Sequence, residues 1–238
     1  GSRGAVLKSP YCDDPHNYGI LRTSAEDLKF YAKEIAEMGF QMNTHAIGDS
    51  TVSVLLNEYK KILKDIDDPR WRIEHSQVVD VNEFELYNEK ILPSIQPTHA
   101  TSDMYWAYDR LGSRIKGAYA FKDLLNSSSR VALGTDFPVE KVNPFHTFYS
   151  SVERKDLNGY PENGFQMENS LTREETLKGM TIWGAYFNFE EHEKGSLEVG
   201  KSADFVVLNQ NIMEVEADLI PNTEVIQTYI DGELVYSK

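Results

Sequence analysis

A single cysteine among 238 residues excludes an internal disulfide and any cysteine-built zinc knuckle, and it suits a reducing compartment, the cytoplasm first of all. Basic residues are scarce too: 24 Lys and Arg stand against 38 Asp and Glu. The resulting formal net charge of -14 repels polyanions and argues against nucleic acid or an anionic membrane surface as partner. Apolar runs are short, Phe205 to Leu208 being among the longest, far below the ~20 residues of a membrane span. No early apolar block resembles a secretion signal, and the chain has no internal repeat, low-complexity stretch or Gly/Ser linker. What remains is an ordinary globular composition, 40% hydrophobic and 26% charged, enough for one large or two small cores and suited to a small-molecule substrate.

The apolar residues that are present recur with meaning. Leu28, Tyr31, Ala32, Ile35 and Ala36 repeat at helical spacing between Ser24, an N-cap type, and Gly39, a stop signal. An alternating run over Phe40 to Thr44 follows and ends at His45, after which Gly48-Asp49 leads into a second helix with the apolar face Val52, Leu55, Leu56, Tyr59, Ile62 and Leu63. The unit then repeats in kind. Trp71 to Glu74 reads as a strand ending at His75, with a short helix over Val81 to Glu89, and Ile91 to Gln96 reads as a strand ending at Pro97-Thr98-His99. A long loop is predicted next, then a helix over Ala118 to Asn126 and a small buried strand, Val131 to Gly134, running out into Thr135-Asp136.

Strands alternating with helices imply a parallel sheet with right-handed crossovers, either doubly wound or a (β/α) barrel. The polar residues favour the barrel, because His45, His75, His99 and Asp136 are each expected just past a strand, on the rim where barrel loops converge. Thr172 with Glu175 caps a last predicted helix running to about Asn188. Beyond it, Phe205 to Leu208, Val225 to Ile230 and the Asp231-Gly232 turn before Glu233 to Tyr236 predict a small β appendage. The expected organisation is a barrel portion over 1–192 and a β segment over 193–238. A complete barrel takes ~250 residues and only four units are visible, so the expectation is half a barrel.

His45 and His75 stand at equivalent places in successive units, and neutral imidazoles with a carboxylate suit a divalent metal, zinc above others. A single histidine at such a place also fits a structural or hydrogen-bonding role. Asp136 in Gly134-Thr135-Asp136-Phe137-Pro138-Val139 fits either the missing carboxylate or an Asx-turn before Pro138. The aromatic stretch Tyr105-Trp106-Ala107-Tyr108, expected in the long loop, fits a substrate wall or apolar packing. His16, His146 and His192 stand singly and read as surface or packing residues, and Gly48-Asp49 lacks the Lys-Ser/Thr of a phosphate loop.

Five ordered stretches, Thr44-His45-Ala46-Ile47-Gly48-Asp49, Arg72-Ile73-Glu74-His75, Gln96-Pro97-Thr98-His99-Ala100-Thr101-Ser102-Asp103, Gly134 to Val139, and Gly195 to Phe205, resemble amidohydrolase family 3 of the metal-dependent amidohydrolases, which includes the N-substituted formamide deformylases. The similarity begins at Gly1-Ser2-Arg3-Gly4-Ala5 and runs to the final hairpin. It implies the C-terminal portion of a distorted (β/α)8 TIM-like barrel, a small β-sandwich, and hydrolysis of carbon-nitrogen bonds in small amides or formamides by a metal-activated water. By resemblance, His45, His75 and Asp136 match metal ligands, zinc being the expected ion. Asp136 doubles as general base, His99 matches a substrate-orienting or oxyanion-stabilising residue, and Arg3, His99 and Asp103 match substrate-binding positions. A structural role for His99, and solvated loop roles for Arg3 and Asp103, fit the residues as well.

The family's early His-x-His pair, and the lysine that often precedes the Gly-Ser-Arg stretch, are not in this sequence. A competing expectation is therefore a non-catalytic half barrel that self-associates through exposed strand edges, as a homodimer.

Overall fold

A computed structural model describes residues 2–238. Two compact units divide them, one running up to residue 95 and over 102–131, the other of residues 96–101 and 132–238.

In the first unit, helix α1 (Ala25–Glu37) starts where the Ser24 side chain accepts from the Asp27 backbone N–H, and it stops at Gly39, whose φ of +73° is left-handed. Strand β1 (Asn43–Ala46) begins later than the sequence predicts and takes His45 into the strand itself; Phe40 is exposed and outside it. Helix α2 (Asp49–Ile62) buries Val52, Leu55, Leu56 and Tyr59, the i, i+3, i+4, i+7 stripe read from the sequence. Each fully buried side chain of this size contributes roughly 1.5–3 kcal/mol.

Strand β2 (Trp71–His75) alternates, with Trp71, Ile73 and His75 buried, so the period of two puts His75 on the inward face. Strand β3 (Ile91–Ile95) is buried at four of its five positions, as a parallel strand covered on both faces should be. β1 pairs parallel with β2, His45 opposite Glu74 and Ala46 opposite His75, and β2 pairs parallel with β3. Tyr59 stacks edge-on against Trp71 at 4.8 Å and its hydroxyl lies 2.6 Å from Thr44 Oγ1, tying α2 to both strands beside His45.

Three predictions change in this unit. The helix expected over Val81 to Glu89 is only a 3-10 turn at Phe84–Leu86. The long loop expected after His99 is helix α3 (Pro97–Leu111), whose first residues group with the second unit. Pro97 opens this helix at its first position, where proline's missing N–H costs nothing, and does not break it. Helix α4 (Phe121–Ser128) begins three residues later than predicted, buries Phe121, Leu124 and Leu125, and ends in left-handed Ser129.

The second unit opens with the two-residue strand β4 (Ala132–Leu133), shorter than predicted, against which α6 (Arg173–Met180) and α7 (Ile182–Phe187) pack. A helix absent from the sequence reading, α5 (Pro144–Glu153), starts at Asn143, whose side chain caps Phe145. Phe145, Phe148 and Tyr149 of α5 form a core with Ile212 and Ile220. The capping box of Thr172 and Glu175 is formed at α6, but the single predicted helix is broken at Thr181, whose hydroxyl bonds back to the Leu177 carbonyl at 2.6 Å. Strands β5 (Phe205–Leu208), β6 (Val225–Ile230) and β7 (Glu233–Ser237) form one antiparallel sheet in that order. Asp231 and Gly232 both take positive φ in the tight β6–β7 turn.

Candidate active site

In the first unit the sheet brings His45 and His75 together. They stand on adjacent parallel strands, one residue out of register, with ring centroids 4.5 Å apart and planes at 76°. His45 is exposed, whereas His75 is buried. His75 closes β2 with a φ of +75°, and Ser76 follows at +43°. Two successive left-handed residues without glycine are uncommon and cost free energy that the surroundings must offset. They turn the chain sharply while His75 still points to the inner face.

Arg3, also left-handed at φ +57°, pairs bidentately with Asp13 through contacts of 2.7 and 3.1 Å. The bond to Asp13 raises the guanidinium's pKa, and the Arg3 guanidinium holds the Asp13 carboxyl below its usual range. Asp103 lies on α3, and its Oδ2 accepts from the Tyr119 hydroxyl at 2.8 Å and from Gln77 Nε2 at 3.0 Å. Burial, then the charge of Asp103, pushes the Tyr119 phenol far above its ordinary value, so it stays a proton donor in this bond. The aromatic stretch is helical: Trp106 carries the Arg110 guanidinium 3.8 Å over its ring, and Tyr105 and Tyr108 are exposed.

In the second unit His99 and Asp136 meet. His99 is in the first turn of α3 and buried, with Nε2 3.1 Å from Asp136 Oδ2 and Nδ1 3.2 Å from Glu140 Oε1. A neutral ring donates to one of these carboxylates and an imidazolium to both. Asp136 sits three residues beyond β4 with φ +57° and its side chain 35% exposed. The turn-forming side chain here is Thr135, whose Oγ1 accepts from the Phe137 N–H at 3.2 Å, while the Asp136 carboxylate is turned to His99. Glu140 was missed by sequence reasoning, and its one signal was an acid four residues after Asp136.

These arrangements can be set beside known proteins. A sequence profile described as the Amidohydrolase family matches residues 1–236. The chain is 32% identical over 241 residues to the protein LONG AFTER FAR-RED 3 of Arabidopsis thaliana, covering 99% of this chain and 41% of that protein. It is 21% identical over 257 residues to the N-substituted formamide deformylase of Arthrobacter pascens, covering 99% and 46%. A crystal structure of an uncharacterized metal-dependent hydrolase from Pyrococcus horikoshii OT3 superposes with a TM-score of 0.77 at 27% identity, covering 91% of this chain and 44% of that one. The chain thus spans less than half the length of these relatives. A profile that matches nearly from end to end, over strands that carry histidines at their C-terminal ends, makes this chain a member of the Amidohydrolase family.

Proposed function

We propose that the protein to which this chain belongs is a divalent-metal-dependent hydrolase of carbon-nitrogen bonds in small non-peptide amides, N-substituted formamides among them. In this reading the alternating units are the C-terminal portion of a (β/α)8 barrel over 1–192, and the segment 193–238 belongs to a small β-sandwich. The observation that carries the proposal is the pair of imidazoles, His45 and His75, 4.5 Å apart and edge to face at the ends of neighbouring parallel strands. Two rings bound through nitrogens about 2.0–2.1 Å from one tetrahedral ion have centroids roughly 5 Å apart, so this pair needs only a small opening to share one. The family resemblance, not a measured distance, assigns the carboxylate to Asp136, and two imidazoles with one carboxylate are a donor set that catalytic zinc takes while keeping a position for water.

A bound zinc ion would supply a water of lowered pKa and polarise the amide carbonyl. Asp136 takes the proton of the attacking water and returns it to the leaving nitrogen. His99 Nε2, which rests against Asp136 Oδ2, is assigned to the negative charge that develops on the carbonyl oxygen and gives up its contact with Asp136 to reach it, while Glu140 holds Nδ1 on the other side of the ring. Arg3 and Asp103 are assigned to the substrate's polar groups. A net charge of -14 supports a small, uncharged or cationic substrate over a polyanion. The name of the Arthrobacter relative supports the formamide class.

The test is formate release from a panel of N-substituted formamides, before and after chelation and with zinc restored. Turnover that stops on chelation and returns with zinc is expected; turnover indifferent to the chelator contradicts the proposal.

A further inference from the structure

Directly after His75 the chain must hold two left-handed residues, His75 at φ +75° and Ser76 at φ +43°. Two buried tyrosines grip this turn. Tyr87 donates its hydroxyl proton to Ser76 Oγ at 2.8 Å, and the Ser76 hydroxyl in turn donates to the Ile73 carbonyl at 3.0 Å. Tyr119 donates to Asp103 Oδ2 at 2.8 Å, accepts from Gln77 Nε2 at 3.2 Å, and gives its own backbone N–H to the Gln77 carbonyl at 2.8 Å. Tyr87 is 1% and Tyr119 2% exposed; the Tyr87 bond to Ser76 is fully shielded from water, and the Tyr119 bonds to Asp103 and Gln77 are partly so. One residue further, Val78 N–H bonds to the Ile47 carbonyl, and Val79 N–H to the Gly117 carbonyl. A side chain at Gly117 would meet the Val79 carbonyl oxygen at 1.9 Å, so only glycine lets the two backbones close on one another there.

We infer that Tyr87 and Tyr119 are positioning residues for His75: by gripping Ser76 and Gln77 they hold the strained end of β2 in the one backbone conformation that aims the His75 ring beside His45. The inference rests on the ligand role proposed for His75. Burial raises both phenols far above their ordinary values, so each remains protonated and able to donate across the working pH range. Groups that orient a ligand in this way commonly matter about ten- to a hundredfold in metal affinity without touching the ion. Tyr11 offers an internal comparison, because it is a buried tyrosine whose hydroxyl also makes one short, part-buried bond, to the Ala5 carbonyl at 2.7 Å and not to a residue of the β2 turn.

The experiment measures zinc dissociation constants by chelator competition, and the visible absorption of the cobalt-loaded protein, for Tyr87→Phe, Tyr119→Phe, Tyr11→Phe and His75→Ala. The expected result is zinc affinity lowered about tenfold or more in the first two, with an altered cobalt spectrum, and unchanged in Tyr11→Phe. Ser76→Ala removes the acceptor of the Tyr87 bond with little change of volume, and it carries the same expectation should Tyr87→Phe not fold. Parental affinity and spectrum in Tyr87→Phe (or Ser76→Ala) and in Tyr119→Phe, with His75→Ala having lost the ion, would overturn the positioning role alone. Equal losses in Tyr11→Phe would also overturn it, since they would show only a general loosening. Full binding in His75→Ala would instead remove the ligand role beneath it.

Discussion

Asp136→Asn keeps the side chain's size while removing its charge and its capacity to carry a proton. The folded state loses little by the exchange. The carboxylate is 35% exposed and makes one 3.1 Å contact to His99, so replacing a charged acceptor by a neutral one costs about 1 kcal/mol, reduced further by solvent screening. In a chain of this length that corresponds to a melting temperature lower by roughly 2–4 °C. Catalysis loses far more, because a positioned general base contributes about 10²–10⁴-fold, or about 3–5 kcal/mol of barrier. The assay is kcat for formate release at saturating zinc, which removes any contribution from weakened ion binding, with calorimetry on the same samples. A kcat within about fivefold of the parent, far less than a lost base should cost, would refute the proton-carrying role. A collapse of stability accompanying the loss of rate would assign Asp136 to the fold.

Two further substitutions test how the surroundings are built. Gly48 has an ordinary φ of −86° yet cannot accept a side chain, since a Cβ would lie 2.0 Å from the Val6 carbonyl oxygen; Gly48→Ala is expected to cost about 1–3 kcal/mol by overpacking. Gly134→Ala, into open space, should be close to neutral by thermal melting, and equal stability of the two variants would contradict this steric account. Thr172→Ala removes one half of the capping box and should lower stability by about 0.5–2 kcal/mol, with Thr172→Ser largely restoring it. An unchanged melting temperature in the alanine variant would show that the cap contributes nothing measurable.

What could be read from the sequence followed periodicity and caps. The α2 stripe of Val52, Leu55, Leu56 and Tyr59 is a strong signal and formed as read, whereas the strand read over Trp71 to Glu74 formed one residue longer and takes in His75. Helix α3 was hidden because Pro97-Thr98 looks like a breaker, although proline suits a helix start. Helix α5 was hidden because Phe145, Phe148 and Tyr149, with Thr147, Ser150 and Ser151, are buried around most of its circumference and leave no polar stripe to mark the period. The break at Thr181, where the backbone leaves helical geometry at φ −129° and ψ −97°, is something a capping box cannot reveal.

At the site, the residue types were legible and their immediate partners were not. His45 and His75 stand out because two successive units end alike, and the structure brings their rings together. The Glu140 contact to His99, and the grip of Tyr87 and Tyr119 on the turn after His75, join residues 41, 11 and 42 positions apart. Such contacts come from the folded path of loops, and no spacing rule announces them.

Metal analysis of the purified protein beside His45→Ala and His75→Ala, each dialysed with zinc and then freed of loose ions, asks most directly whether these imidazoles share an ion. Stoichiometric zinc in the parent and its loss in both variants is the expected result. Parent protein that carries no divalent metal, or variants that retain all of it, would contradict a metal-dependent hydrolase built on this histidine pair.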